Sequence, residues 1–215
     1  NYNMKNKRIL ITGLNGFIGH HLRCKLRNCG SVIASIDQIH PLQPDDNSFT
    51  GDILNYDFVK QVCETFQPEY VIHLAAYKGR TINFEDFRQA IDANLIGTLN
   101  LIESLSKLSS LKKFVAVGTA EEYGLGNAPF KCSQREIPIS SYSFSKLCMT
   151  HLIQTINRLH QFPAIILRPS VAYGPGQNID MFLPALIKSL LQKKAFKMTT
   201  GLQKRDFVYI DDIIN

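Results

Sequence analysis

Short apolar runs alternate with helix-length amphipathic stretches from the start of the chain. Arg8-Ile9-Leu10-Ile11-Thr12 is a compact strand pattern, followed by a glycine turn and a helical pattern to about Cys29. Ser31–Asp37 predicts a second strand, Pro41 to Gly51 a proline- and aspartate-rich loop, and Tyr56 to Phe66 a helix. Tyr70–Leu74 supplies a third strand. A long amphipathic helix is predicted from about Phe84 to Leu108, with a break near Gly97. Phe114–Val117, a helix over Tyr142–His160 and a strand over Pro163–Leu167 continue the alternation. Apolar strands linked by helices imply parallel pairing through right-handed crossovers, with both faces covered. The expected fold is α/β, a doubly wound parallel sheet.

Composition narrows the setting. The 215 residues are 45% apolar and 20% charged, enough for a buried core. No apolar run is long enough to span a bilayer, and the N-terminus lacks a signal-peptide core, so a soluble, cytoplasmic protein is expected. Met4 before the basic run Lys5-Asn6-Lys7-Arg8 reads as the natural start, with Asn1-Tyr2-Asn3 as an extension. The 5 cysteines include no Cys-x-x-Cys pair, and the 6 histidines no His-x-x-x-His pair, so neither a disulfide framework nor a metal site is expected. The net charge of +6 suits an anionic small molecule. Its lysines and arginines form no long run interleaved with aromatics, which argues against nucleic acid.

Two stretches carry chemistry. In "ITGLNGFIGHHL", Gly13, Gly16 and Gly19 sit between a strand and a helix, where backbone amides can approach a pyrophosphate. His20-His21 stand where a nucleotide-triphosphate loop needs Lys-Ser/Thr. Asp37 closes the second strand at the separation expected of an acid that binds a ribose 2′-hydroxyl, and it would repel a 2′-phosphate, which favours NAD over NADP. Further on, Tyr142 and Lys146 in "SSYSFSKLCMTHL" lie at i and i+4 on one helical face. An ammonium so placed lowers a phenol's pKa and makes it a proton exchanger. By itself Tyr-x-x-x-Lys is common by chance. It gains weight downstream of a dinucleotide turn and of the polar strand end Thr119-Ala120-Glu121-Glu122-Tyr123.

Together these stretches resemble the extended branch of the short-chain dehydrogenase/reductase superfamily, the nucleotide-sugar epimerases, dehydratases and reductases. The resemblance runs through "ILITGLNGFIG", "HLAA", "NLIGTLNL", "GTAEEYG", "YSFSK", "LRPSVAYGPGQ" and "GLQKRDFVYIDD". It implies a Rossmann-type domain over residues 1–168. Residues 169–215 would begin a small C-terminal substrate lobe whose remainder is expected beyond Asn215. It further implies that Gly13, Asn15, Gly16, Phe17, Ile18 and Gly19 border the NAD pyrophosphate and Asp37 the adenosine ribose. Asp52 and Ile53 would meet the adenine, Leu74, Ala75 and Ala76 the phosphates and nicotinamide ribose, and Pro169 and Val171 the nicotinamide. Asn94 matches a structural asparagine of the long helix.

On the same basis Tyr142 is the acid/base at a sugar oxygen, Lys146 tunes it and holds the ribose, and Thr119 hydrogen-bonds the same oxygen. Arg205 would approach the diphosphate of a nucleotide-diphosphate sugar, and a homodimer would form through the Asn94 and Tyr142 helices. Glu121 is a candidate second acid/base, and Glu122, alternating to the other side, is read as structural. Ala120 stands where dTDP-glucose 4,6-dehydratases resemble Thr-Asp-Glu, which favours a 4-epimerase or a 4-keto reductase; "EEYG" looks most like GDP-6-deoxymannose reductase. A 4,6-dehydratase using Glu121 and a non-catalytic NAD-binding module are the alternatives.

Overall fold

A computed structural model describes residues 4–40 and 47–215. Six parallel strands form the main sheet: β1 (Arg8–Thr12), β2 (Val32–Asp37), β3 (Asn47–Thr50), β4 (Tyr70–His73), β5 (Lys113–Val117) and β6 (Ala164–Leu167). Their order is β3-β2-β1-β4-β5-β6. The chain winds outward from β1 to β3, then returns across β1 to build β4 to β6. The reversal lies between β1 and β4, and a crevice opens beyond the C-terminal ends of strands at such a switch.

Alternation along β1 explains why it sits at the centre. Ile9 and Ile11 point into one apolar cluster with Leu14, Leu26 and Ile33, under helix α1 (Phe17–Asn28). Leu10 points the other way, into a larger cluster with Val71, Phe114, Val59, Leu101 and Met149. That layer takes its helical side chains from α2 (Tyr56–Phe66), α4 (Gly97–Ser106) and α5 (Ser141–His160). A strand with apolar residues on both faces stays in place only when both faces are covered, and here they are.

The structure departs from the sequence pattern in places. Of the predicted Pro41–Gly51 loop, residues 41–46 lie outside the described residues, and Asn47–Thr50 form β3 rather than loop. β3 pairs in register with β2 from Ala34↔Asn47 to Asp37↔Thr50. Its sequence, Asn-Ser-Phe-Thr, has no apolar run; the backbone ladder and the single Phe49 side chain, packed against the larger core cluster, define this edge strand. The long helix is not broken at Gly97. It runs as α3 (Phe84–Ile91), a π-helical turn over Asp92–Ile96, and α4. Gly97 is glycine because the Ile53 side chain fills its place: a Cβ there would lie 2.5 Å from Ile53 Cδ1.

After β6 a second, two-stranded parallel sheet pairs β7 (Val171–Tyr173) with β8 (Phe207–Tyr209). Helix α6 (Phe182–Leu191) lies between them in sequence and α7 (Ile210–Ile214) follows. Among the described residues no helix is long and apolar enough to cross a membrane, and no group of three His, Cys, Asp or Glu could hold a metal.

Candidate active site

The crevice floor is backbone. Gly13 has φ +76°, and a Cβ there would lie 2.7 Å from Ala75 N, so the turn after β1 touches the end of β4 with no room for a side chain. A Cβ on Gly19 would sit 2.5 Å from Leu14 O, which is how α1 approaches the turn closely. Gly16 caps α1 without a side chain, so no side-chain cap takes up the amides of its first turn. Asn15 is exposed; its N–H donates to Asp37 Oδ1 (3.3 Å) and its Nδ2 to Ile39 O (3.0 Å). Asp37 Oδ2 is buried and has no hydrogen-bond partner among the described residues. Burial raises the Asp37 pKa, against the lowering effect of the Asn15 N–H. An unpaired carboxylate oxygen at the end of β2 suits a ribose diol.

A directional chain of hydrogen bonds sets the end of β4. Thr98 Oγ1 donates to Asn94 O (2.7 Å), so it accepts from His73 Nε2 (2.8 Å). His73 Nδ1 therefore accepts from Thr12 Oγ1 (2.6 Å), which in turn accepts from Ala75 N (3.2 Å). Burial holds the imidazole neutral, with its pKa pulled down to about 3. The π-helical turn supplies the rest. It drops the buried Asn94 side chain inward, where it accepts from Tyr77 N (2.8 Å) and donates to Tyr77 O (3.0 Å) and Ser145 Oγ (2.8 Å). Leu74, Ala75 and Ala76, half-buried, are held between these two anchors.

Beyond β5 the chain turns in a short 3₁₀ segment, Ala120–Tyr123. Thr119 is its cap: Oγ1 accepts from Glu121 N (3.2 Å), and the hydroxyl keeps its own proton to donate. Glu122 is fully buried. It accepts from Thr119 N (2.9 Å) and Thr150 Oγ1 (2.9 Å) and pairs with Arg168 Nε (2.7 Å). One carboxylate thus ties the strand end to α5 and β6. Burial raises its pKa, and Thr119 N, Arg168 and Thr150 work against that rise.

Ser140 caps α5, so Tyr142 and Lys146 enter on its first turns with their side chains inward. Tyr142 is 8% exposed and Lys146 2%. The Lys146 ammonium has a thioether as its hydrogen-bond partner, Met149 Sδ at 3.7 Å. A sulfur is a weak acceptor for a group with three donors, so this buried ammonium suits hydroxyls brought in by a ligand. Burial pulls its pKa down to about 8, opposed by Glu122 and reinforced by Lys78. Burial and the Glu121 charge push the Tyr142 phenol up to about 12.

Arg80, from the loop after β4, is a cation that lowers the phenol's pKa. Its guanidinium carbon lies 4.4 Å from the Tyr142 ring centroid, while Nη2 and Nε bind Glu121 at 2.9 and 3.2 Å. No spacing pattern flags Arg80, because a loop path rather than a periodicity brings it there.

The remaining expected residues divide. Phe17 and Ile18 are half-buried at the start of α1. Asp52 caps its own turn, accepting from Leu54 N (2.9 Å) and Gln38 Nε2 (3.1 Å). Ile53 is buried in the larger core cluster. Pro169 lies beside the Thr119 turn, its carbonyl accepting from Ala120 N (3.0 Å), and Val171 begins β7, 36% exposed. Arg205 is exposed, and its Nη1 bonds Lys204 O (3.1 Å).

A glycine turn at the switch of a doubly wound sheet, an acid at the end of β2 with one unpaired oxygen, and a buried lysine on α5 define a dinucleotide-binding α/β protein. The chain belongs to the NAD dependent epimerase/dehydratase family, whose model matches residues 9–215. A UDP-glucuronate 4-epimerase of Thermodesulfobacterium geofontis is 32% identical over 95% of this chain and 68% of its own length. A dTDP-D-glucose 4,6-dehydratase of Dictyostelium discoideum is also 32% identical, over 97% of this chain and 54% of its own. The chain therefore spans about half to two thirds of these relatives. Among solved structures, a UDP-glucuronic acid 4-epimerase from Bacillus cereus, in complex with UDP-glucuronic acid and NAD, superposes with a TM-score of 0.85 and 33% identity. That match covers 96% of this chain and 70% of the other.

Proposed function

We propose that this chain carries the NAD site and the proton-transfer centre of an enzyme that inverts C4 of a nucleotide-diphosphate sugar. One observation carries the choice against a 4,6-dehydratase: Ala120 leaves the strand end without a first carboxylate, and Glu121 is tied to Arg80. A 4,6-dehydratase must both remove a C5 proton and assist loss of the C6 hydroxyl, and this strand end has no pair of free acids for that work.

The residues fit NAD. Gly13, Gly16 and Gly19 allow the tight turn and close helix approach that a pyrophosphate site needs, Asp37 Oδ2 has an unused acceptor for a ribose hydroxyl, and Lys146 offers its donors to the second ribose. Bound NAD supplies the site that accepts and returns hydride. Tyr142 takes the proton from the C4 hydroxyl and returns it, and Thr119 donates to the same oxygen. Lys146, one helical turn along, keeps positive charge beside them. Arg205 is our choice for the sugar diphosphate. A cytoplasmic setting accords with five cysteines that are all free. A homodimer accords with apolar side chains left open on Phe84 (83% exposed), Ile96 (40%), Leu99 (37%) and Phe144 (38%), along the Asn94 and Tyr142 helices.

The test is product analysis. The full chain with NAD is given UDP-glucuronic acid, UDP-glucose or dTDP-glucose, and products are read by proton NMR. A 4-epimer is expected, from a protein sedimenting at twice the 24.3 kDa chain mass. A 4-keto-6-deoxy product would replace the reading with a dehydratase, and bound NAD without turnover would replace it with a binding module. Asp37→Ala is expected to weaken NAD binding by about tenfold or more, since hydrogen bonds to a charged group contribute about 1.5–3 kcal/mol. An unchanged Kd by calorimetry would remove Asp37 from the site.

A further inference from the structure

Arg80 reaches Tyr142 on a loop that is unusually well tied down. Asn94 holds both the N–H and the carbonyl of Tyr77. The Tyr77 hydroxyl donates to the buried Asp86 carboxylate, which also accepts from Thr81 N (2.7 Å). Gly79 lies against this pair; a Cβ there would come within 2.7 Å of both the Tyr77 ring and Asp86 Oδ1. Ser141, the residue before Tyr142, donates to Gly79 O (3.0 Å) and so joins the loop to the start of α5.

Every nitrogen of the guanidinium then has a partner. Nε and Nη2 form a fork on Glu121, and Nη1 donates to Lys78 O at 3.1 Å. With three anchors the plane has one orientation, over the tyrosine ring. The side chains of Arg80 and Glu121 are 47% and 46% exposed, so as an ion pair they contribute little to stability. Their consequence lies in where they set charge.

We propose that Arg80 is the positioning residue of this site, stacking on Tyr142 and holding Glu121 in an ion pair, so that Glu121 is a charge partner rather than the acid or base of the reaction. This rests on the reading of Tyr142 as the proton-transfer group. The charges that act on the phenol are Arg80 from the loop after β4 and Glu121 and Glu122 from the turn after β5. Of these, Glu121 and Glu122 oppose ionisation of the phenol and Arg80 favours it. Without Arg80 the Glu121 charge acts on the phenol uncompensated.

The test reads Tyr142 directly in the full chain, with tyrosine labelled at ¹³Cζ and the Tyr142 resonance assigned by its loss in Tyr142→Phe. At one alkaline pH below the parent's midpoint, Arg80→Gln is expected to lower the ionised fraction about tenfold, and Glu121→Gln to raise it comparably. Arg80→Gln/Glu121→Gln returns it toward the parent. Arg80→Lys keeps the charge but not the planar fork, so it recovers most of the shift. Titration of Arg80→Gln with the parent, or of the double variant with Arg80→Gln alone, would overturn the proposal. If a thermal melt shows that Arg80→Gln does not fold, Glu121→Gln alone decides, and an unshifted Tyr142 refutes. Turnover on the nucleotide sugars is measured beside the titration. Loss of turnover at every pH in folded Glu121→Gln would make Glu121 a reacting acid and overturn the proposal. A parent that turns over none of them sinks the epimerase reading and leaves the titration result standing.

Discussion

Tyr142→Phe is expected to lower turnover by about 10²–10⁴-fold, the range for removing a general acid/base, while NAD still binds. The phenol is 8% exposed, and the substitution removes only its oxygen. The ring keeps its place under Arg80, and Ser140 still caps the helix that delivers it. None of the crevice contacts of Gly13, Asp37 or Lys146 passes through that oxygen. The loss should therefore fall on kcat, with NAD affinity by calorimetry close to the parent's. Full turnover in the variant would reject Tyr142 as the proton-transfer group, and equal loss of NAD binding would point to a distorted crevice instead.

The second large effect falls on stability. Glu122→Ala removes a fully buried carboxylate that accepts from Thr119 N and Thr150 Oγ1 and pairs with Arg168. Breaking a buried ion pair from one side costs about 3 kcal/mol or more, because the remaining charge and donors stay desolvated. Arg168 also reaches Glu136 at 2.8 Å and the Tyr123 hydroxyl at 2.8 Å, which keeps the expected loss near the lower end. Against a typical total of about 5–15 kcal/mol this is a large share. Urea unfolding should show a lower midpoint with an unchanged slope. Glu122→Gln, which keeps an acceptor for Thr119 N, should lose less. A midpoint matching the parent's would show that the three contacts are not a clamp.

The two carboxylates of the strand end have exchanged prominence. In the sequence Glu121 is the candidate reactant and Glu122 its structural neighbour. In the structure Glu122 binds the turn to α5 and β6, while Glu121 is paired with Arg80. The alternation marks Glu122 as structural, but its partners, and the Arg80 that pairs with Glu121, come from other crossovers.

The alternation of apolar runs and amphipathic helices determined the α/β class and its parallel sheet, since each strand's two covered faces and each helix's single apolar stripe are written locally. β3 escaped that pattern because an edge strand of Asn-Ser-Phe-Thr is held by backbone pairing and a single core contact, Phe49, too little to make a period. The glycine turn, Asp37, Thr119 and the Tyr142–Lys146 pair stand out in the sequence as candidates, because each depends on a short spacing or on its position at a strand end. The tertiary structure alone decided that Asp37 keeps an unpaired oxygen and that Lys146 is buried against a thioether. It also brought Arg80 onto Glu121, 41 positions away, and over Tyr142. Such pairings are set when parallel crossovers bring the ends of different strands together. Local periodicity fixes which face of an element is buried, but the charge that faces it comes from a distant part of the chain.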